Sequence, residues 1–146
     1  VALMDIVTPS QRSLIMSRIK GKDTKPEIVV RKKLFESGLR YRIHVRGLPG
    51  TPDIAIKKYK VVVDVRGCFW HGHGKCRFSS RPKSNKSYWL EKIDRNRKRD
   101  RANLKELRKM GYQVFVVWEC KTKDEGSLMS EIKKIVRYIK TSQVHP

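Results

Sequence analysis

The sequence predicts an α/β fold in one domain, a mixed sheet flanked by helices. Three observations carry this. Helix-period and strand-period segments follow one another in the order α-α-β-β-β-loop-α-β-α, which favours a layered sheet with helices packed on it. One strand-like run, Val61-Val62-Val63, is apolar at successive positions, as in a strand covered on both faces. At 146 residues the chain can build one core and is too short to expect two, so residues 1–146 read as a single domain.

The elements follow in order. Thr8-Pro9-Ser10, then Leu14, Ile15, Ser17, Arg18 and Ile19, predicts a short N-terminal helix closed at Gly21, with a basic face suited to phosphates. Thr24 stands three residues before Glu27 as a capping box, with Pro26 in the first turn. Val30 and Leu34, with Ile28 and Phe35, continue the stripe toward Gly38, predicting a helix over 25–37. Tyr41 to Val45, Asp53 to Ile56 and Lys60 to Val65 read as strands separated by Gly or Pro turns, the third central in the sheet. Beyond a Gly-rich loop, residues 87–110 read as a long helix, Tyr112 to Trp118 as a buried strand, and Leu128 to Ile139 as a closing helix. Residues 1–7 and 142–146 are expected to fray.

Lys and Arg total 35 against 14 Asp and Glu, a formal charge of +21. Solubility asks for a net charge of only about 2–8 in a small domain, so the excess points to a polyanionic partner, nucleic acid ahead of an anionic membrane surface. The charge recurs along the chain among apolar residues, as in a folded basic protein. Three cysteines make an odd set for a disulfide framework, and the start of the chain carries no signal-like segment, so a reducing cytoplasm is expected. No apolar run reaches the roughly 18 residues a membrane helix needs.

Several residues invite chemistry. Asp100 lies seven positions from both Ile93 and Leu107, which turns a carboxylate toward the helix's apolar face. It either pairs with a neighbouring arginine or belongs to a site. Glu27 faces the core in the same way, although the capping box alone explains it. Asp53, after Pro49-Gly50-Thr51-Pro52, is a carboxylate delivered to a strand start, a common way to hold Mg²⁺. Eleven residues on, Asp64-Val65-Arg66 is a loose acid-x-base pattern of the kind metal-dependent nucleases use. Cys68, His73 and Cys76, with Cys120 at the end of the last strand, supply four N/S ligands for a closed zinc site. Phe69 and Trp70, with Trp89, are either core anchors or wedges between base pairs.

Together these residues resemble the very short patch repair (Vsr) mismatch endonucleases, from about Ser10 to Ile139. The marks are Arg12-Ser13-x-x-Met16, Asp23-Thr24-x-x-Glu27, Pro49-Gly50-x-Pro52-Asp53, Gly67-Cys68-Phe69-Trp70-His71, Trp89-Leu90-Glu91-Lys92-Ile93, Asn96-x-x-x-Asp100 and Val117-Trp118-Glu119-Cys120. The resemblance implies a three-layer α/β/α, restriction-endonuclease-like (PD-(D/E)xK-type) fold with a structural zinc. It also implies a Mg²⁺-dependent nick 5′ to the thymine of a T·G mismatch left by deamination of 5-methylcytosine. Asp53 would bridge the metal ions, the Val65 carbonyl would be a second ligand, and Asp64 is a further candidate. His71 would be the general base, supported by Glu27 and Asp100. Asn96 would hold a phosphate, and Met16, Phe69, Trp70 and Trp89 would enter the DNA beside the mismatch. Cys68, His73, Cys76 and Cys120 would hold the zinc. The expected setting is a monomer in a bacterial cytoplasm, associated with the nucleoid while acting and followed by repair proteins. Gly72, Gly74 and Lys75 depart from relatives, so choosing His73 over His71 as zinc ligand rests on spacing, and Arg66 carries no assigned role. The rivals are a same-fold homing or restriction-type endonuclease and a non-catalytic zinc-stabilised DNA-binding module.

Overall fold

The computed structural model describes residues 23–74, 76 and 85–144. The expected N-terminal helix, Met16 and the end segment 1–7 lie outside these residues. The elements are α1 (Lys25–Glu36), β1 (Arg42–Ile43), β2 (Ile54–Ile56), a 3₁₀ turn (Lys57–Tyr59), β3 (Val61–Arg66), α2 (Lys86–Lys109), β4 (Gln113–Trp118), a 3₁₀ turn (Glu119–Lys123) and α3 (Glu125–Val144). This is the expected order from the capped helix onward.

The four strands lie in the order β1-β2-β3-β4. The first three are antiparallel and β3 pairs parallel with β4, so the sheet is mixed and β3 is interior, as its two-sided apolar sequence requires. Alternation assigns its faces. Ile54, Ile56, Val61, Val63, Val65 and Val117 join Val30 and Leu34 of α1 and Leu128, Ile132, Ile135 and Ile139 of α3 in one cluster. Ala55 and Val62 point the other way and pack with Leu48 and with Leu107 of α2. Helices therefore cover both faces, giving three layers. Each aliphatic side chain fully buried in this way contributes about 1.5–3 kcal/mol relative to exposure, which outweighs weak local preferences at the ends of the elements.

Three elements depart from their expected bounds for identifiable reasons. The strand expected over 41–45 is cut to two residues because His44 turns left-handed, at φ +48°. The ribbon nevertheless continues as single bonds, from His44 N–H to the Asp53 carbonyl and from Val45 N–H to the Pro52 carbonyl. Helix α2 stops one residue early, and the left-handed Gly111 (φ +88°) closes it. Helix α3 starts earlier and runs past Ile139 to Val144, into the segment expected to fray. Its N-terminus is fixed by the Asp124 carboxylate, which accepts from Ser127 N–H at 2.8 Å.

Candidate active site

A cleft of about 1210 Å³ opens on the α2 side of the sheet. Glu27, His44, Asp53, Asp64, Arg66, Trp70, His71 and Asp100 all line it. The sheet register explains the first part of this gathering. Ile54 faces Val63 and Ala55 faces Val62, so one step further places Asp53 opposite Asp64, on the face of Ala55 and Val62. The two side chains meet. Asp53 Oδ2 also accepts from the Val65 N–H at 2.8 Å, which fixes its rotamer. Burial and the charge of Asp64 push the Asp53 carboxyl up to about 8. Such a pair of hard oxygen donors, held together against their mutual repulsion, fits a divalent cation. Val65 lines the same strand end. Arg66, two residues on and so on the same face of β3, donates from Nε to Asp64 Oδ2 at 2.8 Å.

His71 and Asp100 form the second part. Backbone bonds from His71 N–H to Gly67 O and from His73 N–H to Cys68 O wind the loop tightly. They bring His71 Nδ1 to 2.6 Å from Asp100 Oδ2. An ionised carboxylate only accepts, so Nδ1 carries the proton and Nε2 is left as the basic nitrogen. Burial raises the Asp100 carboxyl, but the His71 hydrogen bond and charge, with Arg66 and Arg99 nearby, more than offset it and hold it below the usual carboxylate range. The inward carboxylate of the long helix thus belongs to the cleft, with a histidine as its direct partner.

The same loop places the soft ligands apart from the hard ones. One donor atom each from Cys68, His73, Cys76 and Cys120 lies within 4.8 Å of the others, and Cys120 Sγ is 3.6 Å from His73 Nδ1. A tetrahedral ion with bonds of roughly 2.3 Å to sulfur and 2.0–2.1 Å to nitrogen spaces its donors about 3.5–3.8 Å apart, so this set fits zinc. Burial pushes the Cys68 thiol up to about 12 and lowers His73. His73 also stacks on Trp118 at 4.1 Å. The two histidines are therefore divided, His71 to Asp100 and His73 to the cysteines.

The aromatic residues are placed unevenly. Trp89 is 0% exposed and Phe69 3%, packed with Ile93 beneath Trp70. Phe69 and Trp89 therefore support the loop from below, while Trp70, partly exposed, lines the cleft together with Phe69. Asn96 donates to the Trp70 carbonyl at 2.7 Å and accepts from Arg99 at 3.0 Å, so its amide braces the loop where the resemblance implies a phosphate contact. Glu119 Oε1 accepts from the Cys68 N–H at 3.3 Å and ties the loop to the end of β4. Glu27 is buried at the cleft wall, accepting from Asp23 N–H at 2.8 Å and from Arg31 at 2.9 Å, while its own N–H donates to Thr24 Oγ1. The capping box is thus present, with its return bond falling one residue early.

The sequence profile of the family described as DNA mismatch endonuclease Vsr matches residues 4–77. The chain belongs to the Vsr family. It is 48% identical to type II nicking enzyme V.NmeAIP of Neisseria meningitidis serogroup A, over 94% of this chain and 98% of that one. It is 42% identical to type II nicking enzyme V.XorIIP of Xanthomonas oryzae pv. oryzae, over 92% and 98%. The DNA mismatch endonuclease Vsr of Escherichia coli K12 is 35% identical over 88% of this chain and 82% of its own. The chain is accordingly a Vsr-family endonuclease, in which β2, β3, the loop after β3, α2 and the turn after β4 bring together an oxygen-donor pair, a histidine-aspartate dyad and a Cys/His cluster. Among the described residues no helix is long and apolar enough to cross a membrane.

Proposed function

We propose that the protein nicks one strand of duplex DNA on the 5′ side of the thymine in a T·G mismatch, using Mg²⁺, and so starts very short patch repair. The observation that carries this reading is the convergence in one cleft of the Asp53–Asp64 carboxylate pair and the His71–Asp100 dyad. A bound Mg²⁺ would neutralise charge on the scissile phosphate and on the leaving 3′ oxygen. The chain does the rest. Asp53, fixed by Val65 N–H, and Asp64, fixed by Arg66, hold the cation with the Val65 carbonyl as a further donor. His71, its Nδ1 proton committed to Asp100, accepts the proton of the attacking water at Nε2, and Asp100 stabilises the imidazolium that forms. Trp70 enters the stack beside the mismatch on the Phe69–Trp89 platform, with Met16 arriving from the N-terminal segment. A zinc ion on Cys68, His73, Cys76 and Cys120 keeps the loop folded so that His71 and Trp70 stay in place.

Asp53, Asp64, His71 and Asp100 line one cleft of a single chain, which suits a monomer that cuts one strand and leaves the nick to repair proteins in a bacterial cytoplasm. The test is nicking of a T·G duplex against its C·G control, with and without Mg²⁺. Two of the relatives bear the name type II nicking enzyme, which favours a second reading, nicking at a defined sequence whether or not it is mismatched. The C·G control carrying the same flanking sequence separates the two.

A further inference from the structure

The wall of the cleft opposite α2 holds a group of charges that the reaction described above does not use. Arg31 Nη1 lies 2.9 Å from Asp23 Oδ1, and its Nη2 lies 2.9 Å from Glu27 Oε2 and 3.1 Å from His44 Nε2. His44 Nε2 is in turn 3.5 Å from Glu27 Oε2. Donor atoms of Asp23, Glu27 and His44 come within 4.8 Å of one another, the spacing of a cation site, but the guanidinium already stands in contact with all three. The chain supplies the positive charge itself.

Stability alone is a poor reason for this arrangement. The Arg31 side chain is 13% exposed and that of Glu27 5%, and Arg31 Nε is buried without a hydrogen-bond partner. Desolvating such a pair costs about as much as its attraction returns, and an unbonded buried N–H adds to the cost. Both Asp23 and His44 adopt left-handed backbone, at φ +56° and +48°, an uncommon conformation that Asp and His tolerate better than most residues and that here turns both side chains onto Arg31. What is held is the carboxylate of Glu27, which lines the cleft with Asp53, and the ring of His44, a residue whose backbone N–H also bonds to the Asp53 carbonyl.

We propose that Arg31 is a positioning residue for the nicking reaction: its planar guanidinium, forked between Asp23, Glu27 and His44, fixes the Glu27 carboxylate on the cleft wall beside Asp53. A lysine would keep the charge but presents a single point donor on a shorter reach, so it cannot hold three partners in one plane. The inference rests on the proposed nicking activity and is tested separately from it.

The experiment compares wild type, Arg31→Lys, Glu27→Gln and the double variant in single-turnover nicking of the T·G duplex with Mg²⁺, alongside DNA affinity in Ca²⁺ and a thermal melt. The expected result is that Arg31→Lys melts within a few degrees of wild type and binds DNA within about twofold, yet nicks at least about tenfold more slowly. In the Glu27→Gln background the same substitution should cost less than about twofold, because its effect passes through Glu27. Arg31→Lys nicking within twofold of wild type would overturn the assignment. So would a tenfold loss that persists in full beside Glu27→Gln, or a melt that falls below the assay temperature, which would make Arg31 a structural residue. If wild type itself does not nick the duplex, it is the proposed activity that fails.

Discussion

Replacing Asp100 with asparagine removes one charge from a bond that the structure defines closely. Asp100 Oδ2 sits 2.6 Å from His71 Nδ1, short enough for a charge-assisted bond, and His71 with Arg66 and Arg99 holds the carboxyl in its ionised form. Asparagine can meet Nδ1 in two ways. If its NH₂ faces the ring, Nδ1 must accept, the proton moves to Nε2, and the atom that should take a proton from water is blocked. If its oxygen faces the ring, the tautomer survives but the imidazolium formed during the step loses its counter-charge. A positioned general base contributes about 10²–10⁴-fold. The single-turnover nicking rate of Asp100→Asn should therefore fall roughly 10²–10⁴-fold, or about 3–5 kcal/mol of barrier. The assay is nicking of a T·G duplex under saturating enzyme, with DNA affinity, zinc content and melting temperature measured on the same preparation. The three controls should stay near wild type, because asparagine keeps the shape of Asp100, whose side chain is 11% exposed and bonds to His71. A rate within threefold of wild type would refute the assignment of His71 as the base oriented by Asp100.

Further outcomes follow from the same geometry. Asp53→Ala should abolish Mg²⁺-dependent nicking while DNA binding persists; retained nicking would remove Asp53 from the cation site. Because Asp53 is raised to about 8 in the folded protein and lies near 4 when unfolded, the native state binds the extra proton between those values. Metal-free protein should then lose stability as pH rises from about 5 to 8, and the slope should flatten in Asp53→Asn; an unchanged slope in that variant contradicts the shift. Cys68→Ser should lose about one equivalent of zinc by elemental analysis and lower the melting temperature, whereas His71→Ala should keep the zinc and lose nicking. Trp70→Ala should reduce discrimination of T·G from C·G more than it reduces overall affinity, measured as the ratio of the two binding constants.

Much of this was legible in the chain because the deciding signals are local. The capping box from Thr24 to Glu27, the two-sided apolar run of β3 and the seven-residue spacing of Asp100 from Ile93 and Leu107 each fix a direction within one element. The Cys-x4-His-x2-Cys spacing likewise anticipates the cluster that Cys120 completes. What escaped was whatever depends on how two elements meet. Asp64 could not be placed on a face from β3 alone; the antiparallel register with β2 sets it against Asp53. The burial of Phe69 and Trp89 depends on the loop packing down on α2, and Asn96 finds the Trp70 carbonyl only after that packing. Arg31 stands four residues after Glu27, a spacing the sequence shows openly, but its third partner, His44, arrives through a left-handed turn that no apolar pattern announces.

Purified protein incubated with a labelled T·G duplex and its C·G counterpart of identical flanking sequence should, with Mg²⁺, nick the thymine strand of the first on the 5′ side of the mismatched base. It should leave the second whole, and cut neither when Mg²⁺ is chelated. Equal nicking of both duplexes, or nicking that survives chelation, would contradict the account.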